Sequence, residues 1–316
     1  MARKVAIVAD IGGTNIKLGL MEQDQLIATT SIPSESDKGL KGRLPLMVER
    51  VNEMMLECKV SAGEITGFGM SSPGIVDSFE KRILSIDKKF SDAPDLNLAE
   101  WAQNNWHTHF EIENDARAAL IGEWKFGSAK GNDNVVMMTI GTGIGSSAII
   151  EGRLLKGKHF LAGILGGHFT INYRGEKCNC GNIGCAEAET ATWNLRKLAH
   201  TSPLFSTSRL KEEAIIDYES VFRLAASGDS LARELKLRSL KVWSAAAINL
   251  IHAYDPEILV IGGGVMASKD EILPFISKEI QQCAWTPWGT VEVLPATFIN
   301  ESALLGVGSL LLNHKN

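Results

Sequence analysis

The chain has 316 residues, enough for about two domains at the usual ~150 residues each. Its 45% apolar and 22% charged residues are typical of a globular enzyme, and its net charge of −5 gives no electrostatic footprint for nucleic acid or an anionic membrane. No apolar run approaches the ~20 residues that span a bilayer, and the amino-terminal apolar run is too short for a signal peptide. We therefore expect a cytoplasmic protein with no membrane or nucleic-acid partner.

The amino-terminal residues predict two strands joined by a glycine turn. Val5–Ala9 is an apolar, β-rich run, the sequence Asp10-Ile-Gly-Gly-Thr14 follows it, and Ile16–Leu20 forms a second run. Apolar side chains over residues 46–59 recur at helical spacing and predict an amphipathic helix. Strands and helices that alternate in this way are typical of an α/β protein.

The central part of the chain repeats this opening pattern. Residues 135–150 again predict strand, glycine turn and strand, and Gly141 aligns with Gly12 as Ile140 does with Ile11. The two copies lie much further apart than the ~20–50 residues of solenoid repeats, so they indicate two related α/β halves.

The carboxyl-terminal part predicts a long helix and then a buried strand. Apolar side chains over residues 231–253 share one helical face, and Asp255-Pro256 ends that helix. Ile258–Ile261 then forms a short apolar strand that ends in Gly262–Gly264. A helix followed by a fully apolar strand is typical of a parallel or mixed sheet covered on both faces.

Three predicted strands thus end in glycine-rich turns, at residues 12–13, 141–145 and 262–264. Glycine lets the backbone approach a ligand and direct its N–H groups outward, which suits phosphate, whereas the alternative is a tight hairpin without a ligand. Asp10 and Thr14 beside the first turn favour phosphate binding. The chain has neither a P-loop pattern nor a G-x-G-x-x-G turn that opens a helix, so a dinucleotide fold is disfavoured.

Three of the five cysteines lie within eight residues of one another. Cys178, Cys180 and Cys185, with His168 ten residues upstream of the first, provide the ligand set of a closed tetrahedral zinc site. The alternative is a loop of three reduced cysteines beside a core histidine. Short spacing and the interleaved glycines favour the metal site, which would be structural.

Asp115 precedes the helical run Ala-Arg-Ala-Ala-Leu and has two interpretations. An aspartate here can cap the helix, or it can act as a general base that accepts the proton of an attacking hydroxyl. A carboxylate fully engaged by backbone N–H groups is a poor base. If Asn114 is the cap, Asp115 is left for catalysis.

Taken in order, these motifs resemble the ROK family of repressors and sugar kinases, which includes bacterial glucokinases. The resemblance runs from about residue 4 to 312 and rests on Asp10-Ile-Gly-Gly-Thr14, Asn114-Asp115-Ala116, Gly141-Thr-Gly-Ile-Gly145, His168 with the cysteine motif up to Glu187, and Gly262–Gly264. It implies an actin-like (ribonuclease H-like) ATPase fold with two domains around a cleft, and an ATP-dependent kinase that forms a homodimer. The smaller domain would comprise 1–115 plus 301–316, and the larger one 116–300 with the zinc loop.

The resemblance also implies roles for individual residues. Asp115 is implied as the general base, and Asp10 as the residue near Mg²⁺ and the phosphates. The implied ATP contacts are Gly12, Gly13, Thr14, Gly141, Thr142 and Gly143 on the phosphates and Gly262, Gly263 and Gly264 near the nucleoside. The implied sugar contacts are Gly74, Asn114, Asp115, His168 and Glu187. The implied ligands of a structural Zn²⁺ are His168, Cys178, Cys180 and Cys185.

This chain departs from the family's pattern at three positions. Leu165 stands where a glutamate usually binds sugar hydroxyls, Arg117 where an asparagine is common, and Asp87 where a sugar-binding asparagine is expected. A hydroxyl left unpaired opposite Leu165 would cost the complex on the order of 1–3 kcal/mol. The departures bear on which sugar is bound, while the kinase residues are retained.

The sequence therefore predicts a cytoplasmic enzyme that transfers the γ-phosphate of ATP to a hexose hydroxyl, most simply the 6-hydroxyl of glucose or a related hexose. The alternative is a sugar-binding regulatory protein with weak or no catalysis. Only nine residues precede Asp10, so we expect no DNA-binding helix-turn-helix of the kind ROK repressors carry before this turn.

Overall fold

The structure is a computed structural model that describes residues 3–312, and its chain divides into two units. The first unit comprises the chain up to Gly131, residues 156–161 and the chain from Asn300 onward; the second comprises residues 132–155 and 162–299. The domains expected from the sequence place their first boundary at residue 115 instead. The difference concerns the helix that begins at Asp115, which lies in the first unit.

The elements of the described residues alternate between strands and helices along the chain. The strands are β1 (Val5–Ile11), β2 (Asn15–Glu22), β3 (Gln25–Pro33), β4 (Ile65–Ser72), β5 (Ile75–Asp77), β6 (Arg82–Ser85), β7 (Phe110–Asn114), β8 (Val135–Ile140), β9 (Ile144–Ile150), β10 (Arg153–Leu154), β11 (Ile258–Gly262) and β12 (Glu292–Pro295). The α-helices are α1 (Leu44–Glu57), α2 (Leu98–Trp106), α3 (Asp115–Phe126), α4 (Ala186–Thr190), α5 (Thr192–Thr201), α6 (Tyr218–Ala226), α7 (Ser230–Tyr254), α8 (Lys269–Cys283) and α9 (Ser302–Leu312). The predicted α/β class is confirmed.

Each unit contains a five-stranded mixed sheet of the same topology. The strand orders are β3-β2-β1-β4-β7 and β10-β9-β8-β11-β12, and in each sheet an antiparallel hairpin continues into parallel strands. Ile11 pairs with Ile16 and Ile140 with Ile144 as the last pair before each glycine turn. The predicted repeat of two α/β halves, with Ile140 on Ile11, is therefore confirmed.

Two helices predicted from periodicity lie close to their expected positions. The helix expected over 46–59 begins at Leu44, with Pro45 in its first turn where a missing N–H is tolerated. The helix expected over 231–253 is α7, which ends where Asp255 adopts a left-handed conformation (φ 47°) before Pro256. Among residues 3–312 no helix, α7 included, is both long and apolar enough to cross a membrane.

Each unit has its own apolar core. In the first, the ring of Phe68 on β4 stacks on those of Trp106 and Phe110, with ring centroids 5.3 and 5.9 Å away. In the second, Trp243 of α7 is fully buried, and its Nε1 donates a hydrogen bond to Thr190 Oγ1 (3.1 Å). Two separate cores allow each sheet to hold its own turns in place.

The first unit is completed by close packing of α3 against α9. A Cβ on Gly122 would lie 2.0 Å from Ser302 O, and one on Gly306 would lie 1.8 Å from Ala118 O, so neither position has room for a side chain. The hydroxyl of Ser302 also donates to the buried carboxylate of Glu123 (2.7 Å). This helix pair explains why α3, and with it Asp115, belongs to the first unit.

We expect Gly306→Ala to destabilise the protein by about 1–3 kcal/mol, since the added methyl must separate two packed helices. The urea midpoint at unchanged slope measures the effect. Gly63→Ala is the matched control, because its Cβ would meet nothing within 4 Å. Equal midpoints for the two variants would contradict the packing described for α3 and α9.

Candidate active site

The first group of candidate residues lies where the parallel strands β1, β4 and β7 end. Asp10 pairs in register with Ser71, and Ser72 with Asn114, so three strand ends carry polar side chains side by side. The hydroxyl of Ser71 donates to Asp10 Oδ1 over 2.5 Å. Ligands of open α/β sheets bind at the carboxyl ends of such strands, which makes this edge the candidate site of the first unit.

The glycine turn after β1 adjoins this edge. Gly12 N donates to Asn15 O (3.1 Å), and a Cβ on Gly12 would lie only 2.5 Å from that oxygen. Gly13 O accepts hydrogen bonds from the hydroxyls of Ser34 (2.6 Å) and Ser36 (3.1 Å). The turn is thus fixed from behind, while Thr14 at its tip is exposed.

Asn114 caps α3, as the interpretation of Asp115 as a general base requires. Its Oδ1 accepts hydrogen bonds from the backbone N–H groups of Ala116 (3.1 Å) and Arg117 (3.2 Å), and its Nδ2 donates to Gly74 O (3.0 Å). Asp115 also takes part, because its Oδ1 accepts from Ala116 N (2.8 Å) and Asn114 Nδ2 (3.0 Å). Among the described residues no hydrogen bond is seen to Asp115 Oδ2, which leaves that oxygen for a substrate hydroxyl.

Both carboxylates at this edge are shifted toward their neutral form. Burial, followed by the negative charge of Asp10, raises the pKa of Asp115 to about 6, although the N–H of Ala116 and the charge of Lys89 oppose the shift. Burial also raises the pKa of Asp10, against the hydrogen bond from Ser71 and the charge of Lys17. A carboxylate with a pKa near 6 is ionised at neutral pH and basic enough to accept a proton.

A buried charge cluster lies directly behind Asn114 and Asp115. Glu113 forms ion pairs with Arg117 (3.5 Å) and Lys156 (2.9 Å), and its Oε1 accepts from Asn114 N (2.9 Å). Arg117 is fully buried and also donates to Lys156 O (3.1 Å). Arg117 thus holds the β7–α3 corner, and the sequence analysis missed Glu113 and Lys156 because their pairing depends on the fold.

The second unit brings its two glycine turns together. β8 and β11 are parallel neighbours, so the turn at 141–143 and the turn at 262–264 follow adjacent strand ends. Gly263 has a φ of 94°, and a Cβ there would lie 2.2 Å from Ile140 O. Gly141 N donates to Gly143 O (2.9 Å), which closes the first of these turns.

His168, Cys178, Cys180 and Cys185 converge in the second unit as predicted. Their ligand atoms all lie within 4.8 Å of one another, with Cys178 Sγ 3.6 Å from His168 Nδ1 and Cys180 Sγ 3.7 Å from Cys185 Sγ. Tetrahedral zinc with bonds of about 2.0–2.3 Å separates its ligands by roughly 3.5–3.8 Å, whereas a disulfide needs about 2.05 Å. Burial and the adjoining thiols raise the pKa of Cys185 to about 12, so a bound cation would be needed to hold this thiol as a thiolate.

The cysteine cluster connects to the turn at 141–143 through Glu187. Cys185 immediately precedes α4, and Glu187 in the first turn of that helix accepts a hydrogen bond from Ile144 N (3.0 Å) through Oε2. A Cβ on Gly143 would lie 2.5 Å from the same oxygen. Glu187, which is one of the predicted sugar contacts, therefore uses one of its carboxylate oxygens to hold the turn.

The departures from the family's pattern have distinct positions. Leu165 is 40% exposed and directly precedes the short 3₁₀ turn Gly166–His168. Because His168 Nδ1 faces Cys178, its Nε2 is the ring nitrogen left for another partner. Asp87 is exposed on the loop after β6.

Comparisons with known proteins agree with this architecture. A family model described as the ROK family matches residues 6–314. The chain is 29% identical over 321 residues to a glucokinase of Thermotoga maritima, covering 98% of both, and 26% identical over 271 residues to a xylose repressor of Bacillus subtilis, covering 85% of this chain and 67% of the repressor. A ROK hexokinase structure from Thermus thermophilus superposes with a TM-score of 0.75 at 26% identity over 96% of both chains. The predicted actin-like ATPase fold is thereby confirmed.

We expect the purified protein to contain one zinc ion per chain, since the four ligand atoms lie within 4.8 Å of one another and form a Cys₃His set. Cys180→Ser is the sharpest variant, because Cys180 is exposed and its replacement leaves the core intact. Elemental analysis should show loss of zinc in Cys180→Ser and full occupancy in Cys283→Ser, an exposed cysteine outside the cluster. Wild-type protein with well under one equivalent of zinc would disprove the metal site.

Proposed function

The chain belongs to the ROK family, and we propose that it is an ATP-dependent sugar kinase with Asp115 as its general base. The observation that carries the proposal is the environment of Asp115: one carboxylate oxygen is held by the start of α3, and its pKa is raised to about 6 by burial and by Asp10. If Asp115 served only as a helix cap, it would not need a second carboxylate, Asp10, beside it. Phosphoryl transfer to an alcohol requires both a base and a site for the phosphates.

In the proposed reaction, Asp115 Oδ2 accepts the proton of the attacking sugar hydroxyl. The hydroxyl oxygen forms a bond to the γ-phosphorus of ATP while the bond from that phosphorus to the bridging oxygen of ADP breaks. Asn114 and Ala116 hold Asp115 Oδ1 and so orient the carboxylate. Fixing the base in this way supplies the orientation on which such transfer depends.

The glycine turns would hold the nucleotide. Gly12, Gly13 and Thr14 in the first unit, and Gly141, Thr142 and Gly143 in the second, offer backbone N–H groups and hydroxyls to the phosphates. Gly262, Gly263 and Gly264 would adjoin the nucleoside. Asp10, with Ser71 beside it, offers the oxygen ligands that Mg²⁺ prefers, and bound Mg²⁺ supplies neutralisation of phosphate charge.

We assign the sugar to Gly74, Asn114, His168 and Glu187 together with Asp115. A hexose is the proposed acceptor, with the 6-hydroxyl of glucose or a related sugar as the simplest case. Leu165 removes a carboxylate that other members use, so the preferred sugar should tolerate an apolar neighbour there. We also propose a structural Zn²⁺ bound by His168, Cys178, Cys180 and Cys185. The protein would form a homodimer in the cytoplasm, where thiols stay reduced.

A sugar-binding regulator without turnover is the competing function, because Leu165 lacks the sugar-binding carboxylate and one relative is a xylose repressor. The two functions differ in turnover and not in sugar binding. The presence of Asp10 beside Asp115, whose pKa it raises, supports the kinase.

We expect Asp115→Asn to lower kcat by about 10²–10⁴-fold, the usual contribution of a general base. ADP release with Mg-ATP and a panel of hexoses measures the effect and identifies the preferred sugar. Asn keeps the size and the hydrogen bond from Ala116 N, so sugar binding should persist in a thermal shift. If the wild type binds sugar but releases no ADP with any hexose of the panel, the result would instead support the regulator.

The pH dependence of kcat/KM should have an acidic limb with a midpoint near pH 6. Below that pH Asp115 becomes protonated and cannot accept a proton, so the rate should fall about tenfold per pH unit. Residual activity of Asp115→Asn should lack this limb. A wild-type profile that is flat down to pH 4.5 would contradict Asp115 as the base.

A further inference from the structure

We propose that Lys89 binds the phosphoryl group being transferred and stabilises its charge in the transition state. The inference rests on the proposed kinase function and adds to it a residue that no sequence motif indicates. Its basis is the position of one ammonium group between the glycine turn after β1 and the candidate base.

The distal part of the Lys89 side chain lies against the glycine turn. A Cβ on Gly13 would lie 2.4 Å from Lys89 Nζ, 2.9 Å from Cε and 3.2 Å from Cδ. A side chain at position 13 would displace this end of Lys89. The end of the side chain therefore lies directly on the turn that is proposed to hold the phosphates.

The same ammonium also acts on Asp115. Its positive charge lowers the pKa of Asp115, against the larger effects of burial and Asp10. Lys89 is thus close enough to both the turn and the base to affect each of them. In the proposed reaction the γ-phosphorus must lie between these two groups, because the hydroxyl that Asp115 deprotonates attacks it.

Lys89 differs in its hydrogen bonding from two other lysines near this edge. Lys17 donates to Asn300 O (2.8 Å), and Lys156 pairs with Glu113 (2.9 Å). Within residues 3–312, no group is seen to accept a hydrogen bond from Lys89 Nζ, although the residue is half-buried. A partly desolvated cation without a hydrogen-bond acceptor favours an anionic ligand.

A phosphoryl group in transfer is the anion that fits these constraints. Its charge is spread over three equatorial oxygens, and fixed cations are the main means by which proteins stabilise it. Lys89 would keep its proton throughout and donate hydrogen bonds to one of these oxygens. The proton of the sugar hydroxyl goes to Asp115, and the electron pair of the broken bond goes to ADP.

The test compares Lys89→Met with Lys88→Met, which removes the same charge from the adjacent exposed lysine. With Lys89→Met we expect kcat to fall about 100-fold, as for loss of one transition-state donor, with the KM of the sugar unchanged. Affinity for a non-hydrolysable ATP analogue with Mg²⁺ should fall about tenfold while affinity for ADP stays the same, since ADP lacks the γ-phosphate. Lys89→Arg should recover part of both losses, because it keeps the charge.

Equal behaviour of Lys89→Met and Lys88→Met, or equal losses for the ATP analogue and ADP, would overturn the assignment while leaving the kinase in place. A shift of the acidic limb alone, without a change in analogue affinity, would also overturn it, because Lys89 would then act only on Asp115. A change confined to the KM of the sugar would assign Lys89 to an anionic group on the acceptor instead. If the wild type binds no nucleotide, the proposed function itself fails together with this inference.

Discussion

The organisation of the first unit depends on keeping two carboxylates, Asp10 and Asp115, at one edge of one sheet. The parallel strands β1, β4 and β7 are neighbours in the sheet, so the residues at their carboxyl ends lie side by side. The pKa of Asp115, raised to about 6, lies above its ordinary value of 3.8, so burial favours the protonated form. Its contribution to stability is fully present below the unfolded pKa and is lost as the pH rises through about 6. At neutral pH ionised Asp115 thus opposes folding, and a cationic ligand at this edge would offset that cost.

The rest of the first unit restrains this repulsion. Ser71 donates to Asp10, and the start of α3 donates to Asp115. Behind them, Glu113 fixes the backbone N–H of Asn114 and is itself held by two cations. The close contact of α3 with α9 through Gly122 and Gly306 then anchors the whole corner. The carboxylates cannot relax apart without separating this packed helix pair, and strained polar sites persist only where such support exists.

The second unit applies a similar principle with a cluster of thiols in place of carboxylates. Burial raises the pKa of the Cys178 and Cys185 thiols, which a bound cation would lower, and α4 begins directly after Cys185. Glu187 connects α4 to the backbone at Ile144, and a side chain on Gly143 would displace the Glu187 carboxylate. A metal ion that fixes the loop would therefore also fix the turn at 141–143, which would give a structural ion an effect on the proposed nucleotide binding without a role in the chemistry.

The sequence predicted those features that depend on local chemistry. Glycine turns, a cap at Asn114 and the spacing of Cys178, Cys180 and Cys185 each occupy a few consecutive residues, and the structure has all of them where they were expected. The repeat was also visible, because both sheets begin with the same hairpin. Features formed between distant segments gave no signal of their own.

Lys89 illustrates why such features could not be found in the sequence. It belongs to a Lys-Lys pair on a loop, a pattern typical of a solvated surface. Its neighbour Gly13 lies 76 positions earlier, and only the fold brings the two together. Conversely, Arg117 stands two residues after the proposed base, where an asparagine is common in the family, but it is fully buried beside Glu113. Motifs thus locate the chemistry of this chain, whereas burial and pairing determine which charges remain available to a ligand.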